Sequence, residues 1–435
     1  MESCNTESSL DLPLESLSLQ PFLQSLHKEQ WQEVRLGEIV DVKHGYAFAG
    51  KNITTEHTPN VLVTPGNFHI GGGFKSQKFK YFNGEIPKSF IFSTGDIIVT
   101  MTDLSKDGDT LGYSAKIPKD SEHIYLHNQR IGLLLFLRSD VCKDFIYWLL
   151  RTKNYQAFIV NSATGTSVKH TSPKLIGEYR FPLPPLTIQQ KIAEILSSFD
   201  DKIDLLHRQN KTLESLALTL FRHYFIDNPR RDEWEEKPLS EIAEIQNGYA
   251  FKNSDYAERG METYEVLKMG HIESGGGLRY FPKAHYVKIN DKMTKWVLNE
   301  DDIVLAMTDM KDSLGILGYP AMVDKSNYYV LNQRVARIYL KSKDDFLHNY
   351  FLFLYLSLQE NIQKLQSLAN GGVQVNLSTE AIKNFTITIP PLEFQSQNNQ
   401  AFINIIKKYK NNRKQIQNLQ AMRDMMLRRM FESVN

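Results

Sequence analysis

Two aspartate-rich loops hold the side chains of this 435-residue chain that most resemble a metal site. The first spans residues 102–109 and contains Lys106, and the second spans residues 308–313 and contains Lys311. Carboxylate oxygens are ligands that Mg²⁺ prefers, but no nuclease-type pattern accompanies either loop. The chain also lacks the H-E-x-x-H, G-x-G-x-x-G and G-x-x-x-x-G-K-[ST] patterns of common metal and phosphate sites. We therefore expect no catalytic residue, no metal site and no bound cofactor in this chain.

Other loops contain side chains suited to contacts with nucleic acid. Arginine and lysine match guanine edges, asparagine and glutamine match adenine edges, and lysine, arginine, serine and threonine can hold phosphates. The segment after Gly71–Gly73 is basic with interleaved aromatic residues, although a solvated hairpin would explain it equally well. Its counterpart after Gly275–Gly277 offers only Arg279. The other candidates include residues beside Gly165 and Gly371 that differ between these two segments. The candidate DNA-contacting residues are Lys75, Gln77, Lys78, Lys80, Lys106, Thr166, Ser167, Lys169, His170, Arg279, Lys311, Gln374 and Asn376.

These loops occur twice because the chain contains an internal duplication. The stretch Trp31–Phe48 returns as Trp234–Phe251, with an identical GYAF tetrapeptide 203 residues later. The motifs MTD, LGY, NQR and PPL recur in the same order with offsets of 204 to 206 residues. Two tandem copies of one module indicate one task performed twice. If the two copies act on different targets, residues that match between them, such as Asn128–Arg130 and Asn332–Arg334, are better explained as scaffold.

The composition is ordinary for a soluble globular protein, with 41% hydrophobic and 23% charged residues. No apolar run approaches the roughly 20 residues of a membrane helix, and the acidic N-terminus does not resemble a secretory signal. Two cysteines argue against a disulfide framework, so we expect a cytoplasmic protein without a membrane partner. Residues 31–180 contain 18 basic and 14 acidic residues, whereas residues 227–399 contain 19 and 24. An acidic second module is unusual for a surface that holds phosphates.

The hydrophobic patterns predict the same mixed α/β elements, rich in strands, in both modules. Short strands lie between glycine, proline and asparagine breakers, and one helix per module is predicted, at residues 143–162 and about 344–366. Each module ends in FPLPPL or ITIPPL, where proline stops the strand and favours the start of a helix. The predicted boundaries are an N-terminal extension at 1–30, modules at 31–187 and 227–393, and long helices at 188–226 and 394–435.

The two long segments carry the heptad repeat of a coiled coil. Apolar residues in the first segment alternate steps of four and three for five repeats, interrupted by Asn210. The second segment carries the same seam shifted by 206 residues, interrupted by Asn398, Asn412 and Arg423. We expect the two helices to pair, with packing of each helix on its own module as the alternative. The predicted seam consists of Ile192, Leu196, Phe199, Ile203, Leu206, Asn210, Leu213, Leu220, Phe402, Ile405, Tyr409, Ile416, Leu419 and Met426.

Together these features resemble the specificity subunit of type I restriction–modification systems over residues 31–435. The main signature is SATGTSVKHTSPKLIGEYRFPLPPLTIQQKIAEIL at residues 162–196, which returns as LANGGVQVNLSTEAIKNFTITIPPLEFQSQ at residues 368–397. Each copy contains a glycine loop, a short helix-like turn, a proline break and a glutamine-led helix. The opening W-x-x-x-x-L-x-E-I, followed by G-[YF]-x-F, is similar too. Any one piece would be weak evidence, whereas the full set in order, twice, is specific.

The resemblance implies two target recognition domains that each read one half of a split double-stranded DNA sequence, spaced by an antiparallel coiled coil. It implies that the coil docks two DNA methyltransferase subunits and that helicase–nuclease restriction subunits can join. S-adenosylmethionine, ATP and Mg²⁺ would be used by those partners, and this chain would be non-catalytic. If the modules read different half-sites, the reading residues should differ between the copies. The alternative is a duplicated protein-interaction scaffold that does not bind DNA.

Overall fold

The computed structural model describes residues 14–431, apart from residues 77–78, 104, 106, 166–167, 281, 313 and 342–348. These residues belong to two compact units. The first comprises residues up to Ile203 together with those from Asn418 onward, and the second comprises Asp204–Gln417. Each unit combines helices and sheets, which confirms the predicted fold class. Across the described segments, no helix has an apolar stretch long enough to cross a membrane.

Short strands make up much of the first unit. They are β1 (Gln32–Arg35), β2 (Val40–His44), β3 (Ile53–Thr54), β4 (Asn60–Val63), β5 (Lys80–Phe82), β6 (Ile97–Thr100), β7 (Thr102–Asp103), β8 (Ser114–Lys116), β9 (Ile124–His127), β10 (Ile131–Phe136), β11 (Lys169–His170) and β12 (Arg180–Leu183). One antiparallel sheet has the order β2–β10–β6–β8. A second has the order β3–β5–β4–β9, with β4 and β9 parallel. β7 pairs with β11, and β1 with β12, so the first and last strands of the module lie side by side.

The central strand β6 shows how the first unit is layered. All four of its residues are buried, as expected for a strand covered on both faces. Ile97 and Val99 share a core with the helices that follow β10. Ile98 points to the opposite face, because successive side chains alternate, and it packs with Val61 of the second sheet. The first sheet therefore lies between a helical layer and the second sheet.

The helices of the first unit are shorter than the sequence predicts. They are α1 (Leu14–Gln24), α2 (Lys143–Leu149), α3 (Lys153–Ser162) and α4 (Pro173–Gly177). The single helix predicted over residues 143–162 is divided at Leu150–Thr152. Thr152 has an extended backbone, and its Oγ1 accepts a hydrogen bond from the amide of Tyr155 (3.3 Å), so it caps the start of α3. Ser172 caps α4 in the same way.

The second unit repeats this architecture strand for strand. Its strands are β13 (Glu235–Pro238), β14 (Ala243–Asn247), β15 (Tyr256–Ala257), β16 (Thr263–Leu267), β17 (Tyr286–Lys288), β18 (Ile303–Ala306), β19 (Thr308–Met310), β20 (Pro320–Met322), β21 (Tyr329–Leu331), β22 (Val335–Leu340), β23 (Gln374–Asn376) and β24 (Thr386–Ile389). The sheet orders are β14–β22–β18–β20 and β15–β17–β16–β21, with β13–β24 and β19–β23 pairs. Its helices are α6 (Leu239–Ile242), α7 (Asn349–Ser357), α8 (Gln359–Ser367) and α9 (Thr379–Lys383). The duplication seen in the sequence is thus present in the strand order.

Two long helices contribute to both units. They are α5 (Leu186–Phe221), which continues as a π-helical turn (Arg222–Ile226), and α10 (Leu392–Phe431). In the first unit the beginning of α5 shares a core with the end of α10, through Phe199 and Met426. In the second unit the end of α5 meets the beginning of α10, where the rings of Phe221 and Phe402 are 6.0 Å apart. The two helices are therefore antiparallel, which confirms the predicted pairing.

The heptad seam faces inward along both helices. Five of its members, Leu213, Leu220, Ile405, Tyr409 and Leu419, are half-buried. The others are buried: Ile192, Leu196, Phe199, Ile203, Leu206, Asn210, Phe402, Ile416 and Met426. The helix ends also belong to the cores of the modules. The same hydrophobic cores therefore contain both the contacts between the two helices and the contacts of the helix ends with the modules.

Candidate nucleic-acid interface

Three segments that are distant in the sequence meet in the first unit at the end of a buried strand. β7 pairs with β11, with His170 opposite Thr102. The amide of Met101 donates to the carbonyl oxygen of Arg130 (2.9 Å), and the carbonyl of Met101 accepts from the amide of Thr171 (3.0 Å). These bonds join the turn before β10 to the strand pair. We call this surface the loop face of the first unit; it consists of Thr102–Asp103, Asn128–Arg130 and Lys169–His170.

The second unit builds the same surface with the same bonds. β19 pairs with β23, with Asn376 opposite Thr308. The amide of Met307 donates to the carbonyl oxygen of Arg334 (3.0 Å), and the carbonyl of Met307 accepts from the amide of Leu377 (2.8 Å). Because the backbone is copied, the side chains on the two surfaces can be compared position by position. The loop face of the second unit consists of Thr308–Met310, Asn332–Arg334 and Gln374–Asn376.

At one position of the loop face, the two units have different exposed side chains, and each of these contacts a threonine at the same place. The Nδ1 atom of His170 lies 3.2 Å from Oγ1 of Thr102, and Oγ1 of Thr308 donates to Oδ1 of Asn376 (2.9 Å). Both threonines are buried, so they fix the orientation of their partners. The amide nitrogen of Asn376 remains available to donate. If Thr102 donates to Nδ1, Nε2 of His170 carries the proton and is a donor as well.

The shared aspartates close the loops that follow β7 and β19. Asp103 accepts hydrogen bonds from the amide of Ser105 (2.7 Å) and from the amide and hydroxyl of Thr110. Burial would raise the pKa of Asp103, but these bonds outweigh it and hold the pKa below its ordinary value. Asp309 accepts from the amide of Ile316 (2.9 Å) in the same way. Within the described residues there is no cluster of three or more histidine, cysteine or acidic side chains that could hold a metal ion.

The hairpins that lead into β11 and β23 require glycine. Gly165 and Gly371 have φ of 94° and 145°. A Cβ atom at these positions would lie 2.1 Å from the carbonyl oxygen of Val168 and 2.2 Å from that of Gln374. In the second unit the hairpin presents Val373, which is 76% exposed. An exposed valine is suited to contact with a thymine methyl group. The sequence analysis considered only polar residues, so it did not include this position.

The loop faces contain or adjoin five of the candidate residues. His170, Gln374 and Asn376 are exposed on the paired strands, and Lys169 is half-buried. Lys311 is exposed beside the second hairpin, where its amide donates to the carbonyl oxygen of Val373 (3.0 Å). Five other candidates lie outside the described residues: Gln77, Lys78, Lys106, Thr166 and Ser167.

The remaining candidates lie near the glycine triplets and not on the loop faces. The half-buried Lys75 donates its amide to the carbonyl oxygen of Asn67 (2.8 Å), and Lys80 is exposed on β5 of the second sheet. Arg279 is exposed and forms an ion pair with Glu273 (3.3 Å). In the first triplet, Gly71–Gly73, the carbonyl oxygen of Gly71 accepts a hydrogen bond from Nε of Arg151 (2.9 Å), which lies between two helices.

The shared Asn-Gln-Arg turns combine buried and exposed residues. Asn128 and Asn332 are buried, as their interpretation as scaffold requires. Gln129 and Arg130 are exposed, and so are their counterparts in the second unit. A residue that is identical in the two copies can therefore be either a buried structural residue or an exposed residue that makes the same contact in both modules. The sequence analysis classed Arg130 and Arg334 as scaffold, although a cationic side chain beside the start of a strand is also suited to hold a phosphate.

Two histidines have the spacing of a helical metal motif but a different role. His123 and His127 stand four residues apart, the first immediately before β9 and the second at its end. His123 Nδ1 pairs with Asp120 (2.8 Å), and His127 Nε2 bonds to the carbonyl oxygen of Ile131 (2.9 Å). Burial lowers the pKa of His127 to about 4. This histidine therefore supports the turn that follows β9 in its neutral form.

Comparisons with known proteins agree with this duplicated architecture. The family described as Type I restriction modification DNA specificity domain matches twice, over residues 28–215 and 231–421. The MjaVIII specificity subunit of Methanocaldococcus jannaschii is 27% identical over 391 residues, which covers 84% of each chain. The EcoBI specificity subunit of Escherichia coli is 22% identical over 405 residues, which covers 86% of this chain and 79% of the relative.

A solved structure has the same fold. The S subunit of a type I restriction–modification system from M. genitalium is 16% identical, with a TM-score of 0.51, and the match covers 93% of this chain and 97% of that chain. The copied frame, the paired long helices and the two family matches, which together span most of the chain, lead to one assignment. The chain belongs to the family of type I restriction–modification DNA specificity subunits.

Proposed function

We propose that each unit reads one half of a split double-stranded DNA target through its loop face. The supporting observation is that the two loop faces share a backbone and differ in exposed side chains at matched positions. His170 and Asn376 occupy the same place on the same threonine support, yet they offer different hydrogen-bonding groups to a base edge. Two units that read different half-sites need the same backbone with different exposed side chains, and the loop faces have this arrangement.

The paired helices α5 and α10 are proposed to dock two DNA methyltransferase subunits, and helicase–nuclease restriction subunits can join them. Their seam is buried or half-buried, while α5 exposes Leu205 and Leu216 to solvent in the second unit. Exposed leucines on a helix suit contact with a protein partner. The partners would use S-adenosylmethionine, ATP and Mg²⁺, and this chain would contribute specificity without chemistry. We propose that the complex acts in the cytoplasm, where it would meet its DNA target.

The net negative charge of the second module does not contradict DNA binding by the complex. Phosphate contacts determine much of the affinity, whereas the base edges determine specificity. The methyltransferase subunits would therefore supply part of the positive charge that the second module lacks. A scaffold that does not bind DNA is the competing function, but it would not require different side chains on matched supports.

Mapping of methylated bases in a host genome tests this function. A strain that carries the chain with its methyltransferase subunit should methylate a split motif whose two halves are separated by a fixed gap. A matched strain that lacks only this chain should lose methylation at that motif and retain all other methylation. Methylation that is unchanged after the deletion would refute a role in DNA specificity and favour the scaffold.

A further inference from the structure

The Gln129–Arg130 turn is the part of the first loop face that is both shared and exposed. Thr102, Asp103 and Asn128 are also identical in the two units, but they are buried and hold the backbone. Both Gln129 and Arg130 are exposed, as are Gln333 and Arg334 in the second unit. The usual explanation of identity between the copies, structural support, does not account for exposed side chains.

Several backbone groups of the turn are hydrogen-bonded, which holds the backbone that carries the two side chains in place. The buried Asn128 accepts a hydrogen bond from the amide of Arg130 (3.0 Å) through Oδ1. The amide of Gln129 donates to the carbonyl oxygen of Tyr46 (3.0 Å), and the carbonyl of Arg130 accepts from the amide of Met101. The tight approach also explains the glycine of GYAF, since a Cβ at Gly45 would lie 2.1 Å from the carbonyl oxygen of Asn128.

The second unit reproduces each of these bonds. The amide of Gln333 donates to the carbonyl oxygen of Tyr249 (3.0 Å), and Oδ1 of Asn332 accepts from the amide of Arg334 (3.5 Å). A Cβ at Gly248 would lie 2.2 Å from the carbonyl oxygen of Asn332. The two arginines therefore stand on equivalent rigid turns.

The side chains of Arg130 and Arg334 make no hydrogen bond or ion pair with any other described residue. Two much less exposed arginines are paired instead: Arg337 pairs with Asp302 (2.8 Å), and Arg151 pairs with Asp200 (2.7 Å). An exposed guanidinium without an internal partner, held at the same place in both units, is available for a partner that both units share.

The proposed function assigns different half-sites to the two units, so a partner that both arginines share is not expected to be one particular base. The DNA feature that is the same at any half-site is the phosphate backbone, to which a planar guanidinium binds through paired hydrogen bonds. We propose that Arg130 and Arg334, each with the preceding glutamine, hold a DNA phosphate beside each loop face. This inference rests on the proposed function and gives it a sequence-independent contact that positions both readers. In the acidic second module it also supplies a cation where the backbone would pass.

Binding measurements on the complex of this chain with its methyltransferase subunits test the inference. The probes are a duplex that carries the split target and a duplex of equal length without it, each titrated over a range of salt concentrations. Arg130→Ala and Arg334→Ala should each weaken both complexes by the same factor, about tenfold for one charged contact. Each should also reduce the slope of log affinity against log salt by about 0.9. The preferred sequence should remain unchanged.

Conservative variants and a matched control define the outcome. Arg130→Lys should retain the salt slope, because it keeps the charge, and His170→Ala should weaken only the target duplex. The exposed side chain of Arg130 makes no hydrogen bond or ion pair with a described residue, so thermal unfolding should be nearly unaffected. An unchanged salt slope, an altered half-site or a weakened methyltransferase complex would overturn the phosphate contact. Failure of the wild-type complex to prefer its target would instead refute the proposed function.

Discussion

Single residues on the loop faces offer a direct exchange between the two readers. His170 and Asn376 have the same strand position and the same threonine partner. Asn376→His should therefore alter the second half-site and leave the first unchanged, whereas His170→Asn should alter only the first. Methylation mapping in strains that carry each variant measures both halves at once. Changes in both halves from one substitution, or in neither, would remove this position from the list of readers.

His127 makes the first unit sensitive to acid. Burial and the nearby Lys43 and His44 lower its pKa to about 4, despite the bond to the Ile131 carbonyl, whereas an unfolded histidine has a pKa near 6.5. The unfolded chain therefore takes up the proton first, and stability falls as the pH decreases from about 6.5 to 4. The slope is at most about 1.4 kcal/mol per pH unit.

The second unit provides the control for this pH dependence, because Leu331 is buried at the matched position. His127→Leu loses one hydrogen bond, which shifts the stability by an amount that does not depend on pH. The difference in unfolding free energy between wild type and variant, from denaturant titrations between pH 7 and 4, should therefore contain the whole effect of His127. Parallel curves for the two proteins would show that His127 does not titrate in this range.

At the scale of elements, a charged cluster joins the break between α2 and α3 to α5 and α10 in the first unit. Asp200 on α5 pairs with Arg151 (2.7 Å) and with Arg423 on α10 (2.6 Å). Burial would raise the pKa of Asp200, but the two arginines outweigh it and keep the carboxylate ionised. Arg151 is only 6% exposed and also holds the first glycine triplet through Gly71.

Removal of Asp200 should destabilise the first unit strongly. Asp200→Ala leaves the buried guanidinium of Arg151 without a carboxylate, which costs about 3–5 kcal/mol. At the positions that match Arg151, Asp200 and Arg423, offset by 206 residues, the second unit has the uncharged residues Ser357, Ile406 and Ala217, and the last two belong to its hydrophobic core. The triple variant R151S/D200I/R423A should recover most of the lost stability in denaturant unfolding. A triple variant as unstable as Asp200→Ala would show that the ion pairs themselves stabilise the unit.

The sequence predicts the repeated frame and the paired helices well, because both leave regular signals: identity at a constant offset and a 3.5-residue period. It does not predict the break at Thr152, since a capping threonine inside an apolar helical pattern looks like another helical residue. The contact between His170 and Thr102 also lies beyond sequence reasoning, because pairing of β7 with β11 joins residues that are 68 positions apart. The sequence also does not predict that Arg130 is exposed, because exposure depends on packing in the fold and identity between the copies gives no information on packing.

At the scale of the whole molecule, each module enters and leaves through neighbouring strands. Gln32 on β1 pairs with Leu183 on β12, and Glu235 on β13 pairs with Ile389 on β24. A module whose ends lie side by side can be replaced while α5 and α10 stay intact. The backbone of each module can thus be exchanged between two adjacent points, although the helix ends contribute to the module cores.

Replacement of residues 235–389 by residues 32–183 tests whether reading belongs to the modules. The second half-site should change to the bases that the first module reads, because the loop face moves with its module, and the first half-site should stay the same. The module cores include helix ends, such as Phe221 and Phe402 in the second unit, so thermal unfolding of the exchanged chain is measured first. Methylation mapping then identifies the new target. A folded exchanged chain that still directs methylation to the original split motif would show that the modules do not determine the half-sites.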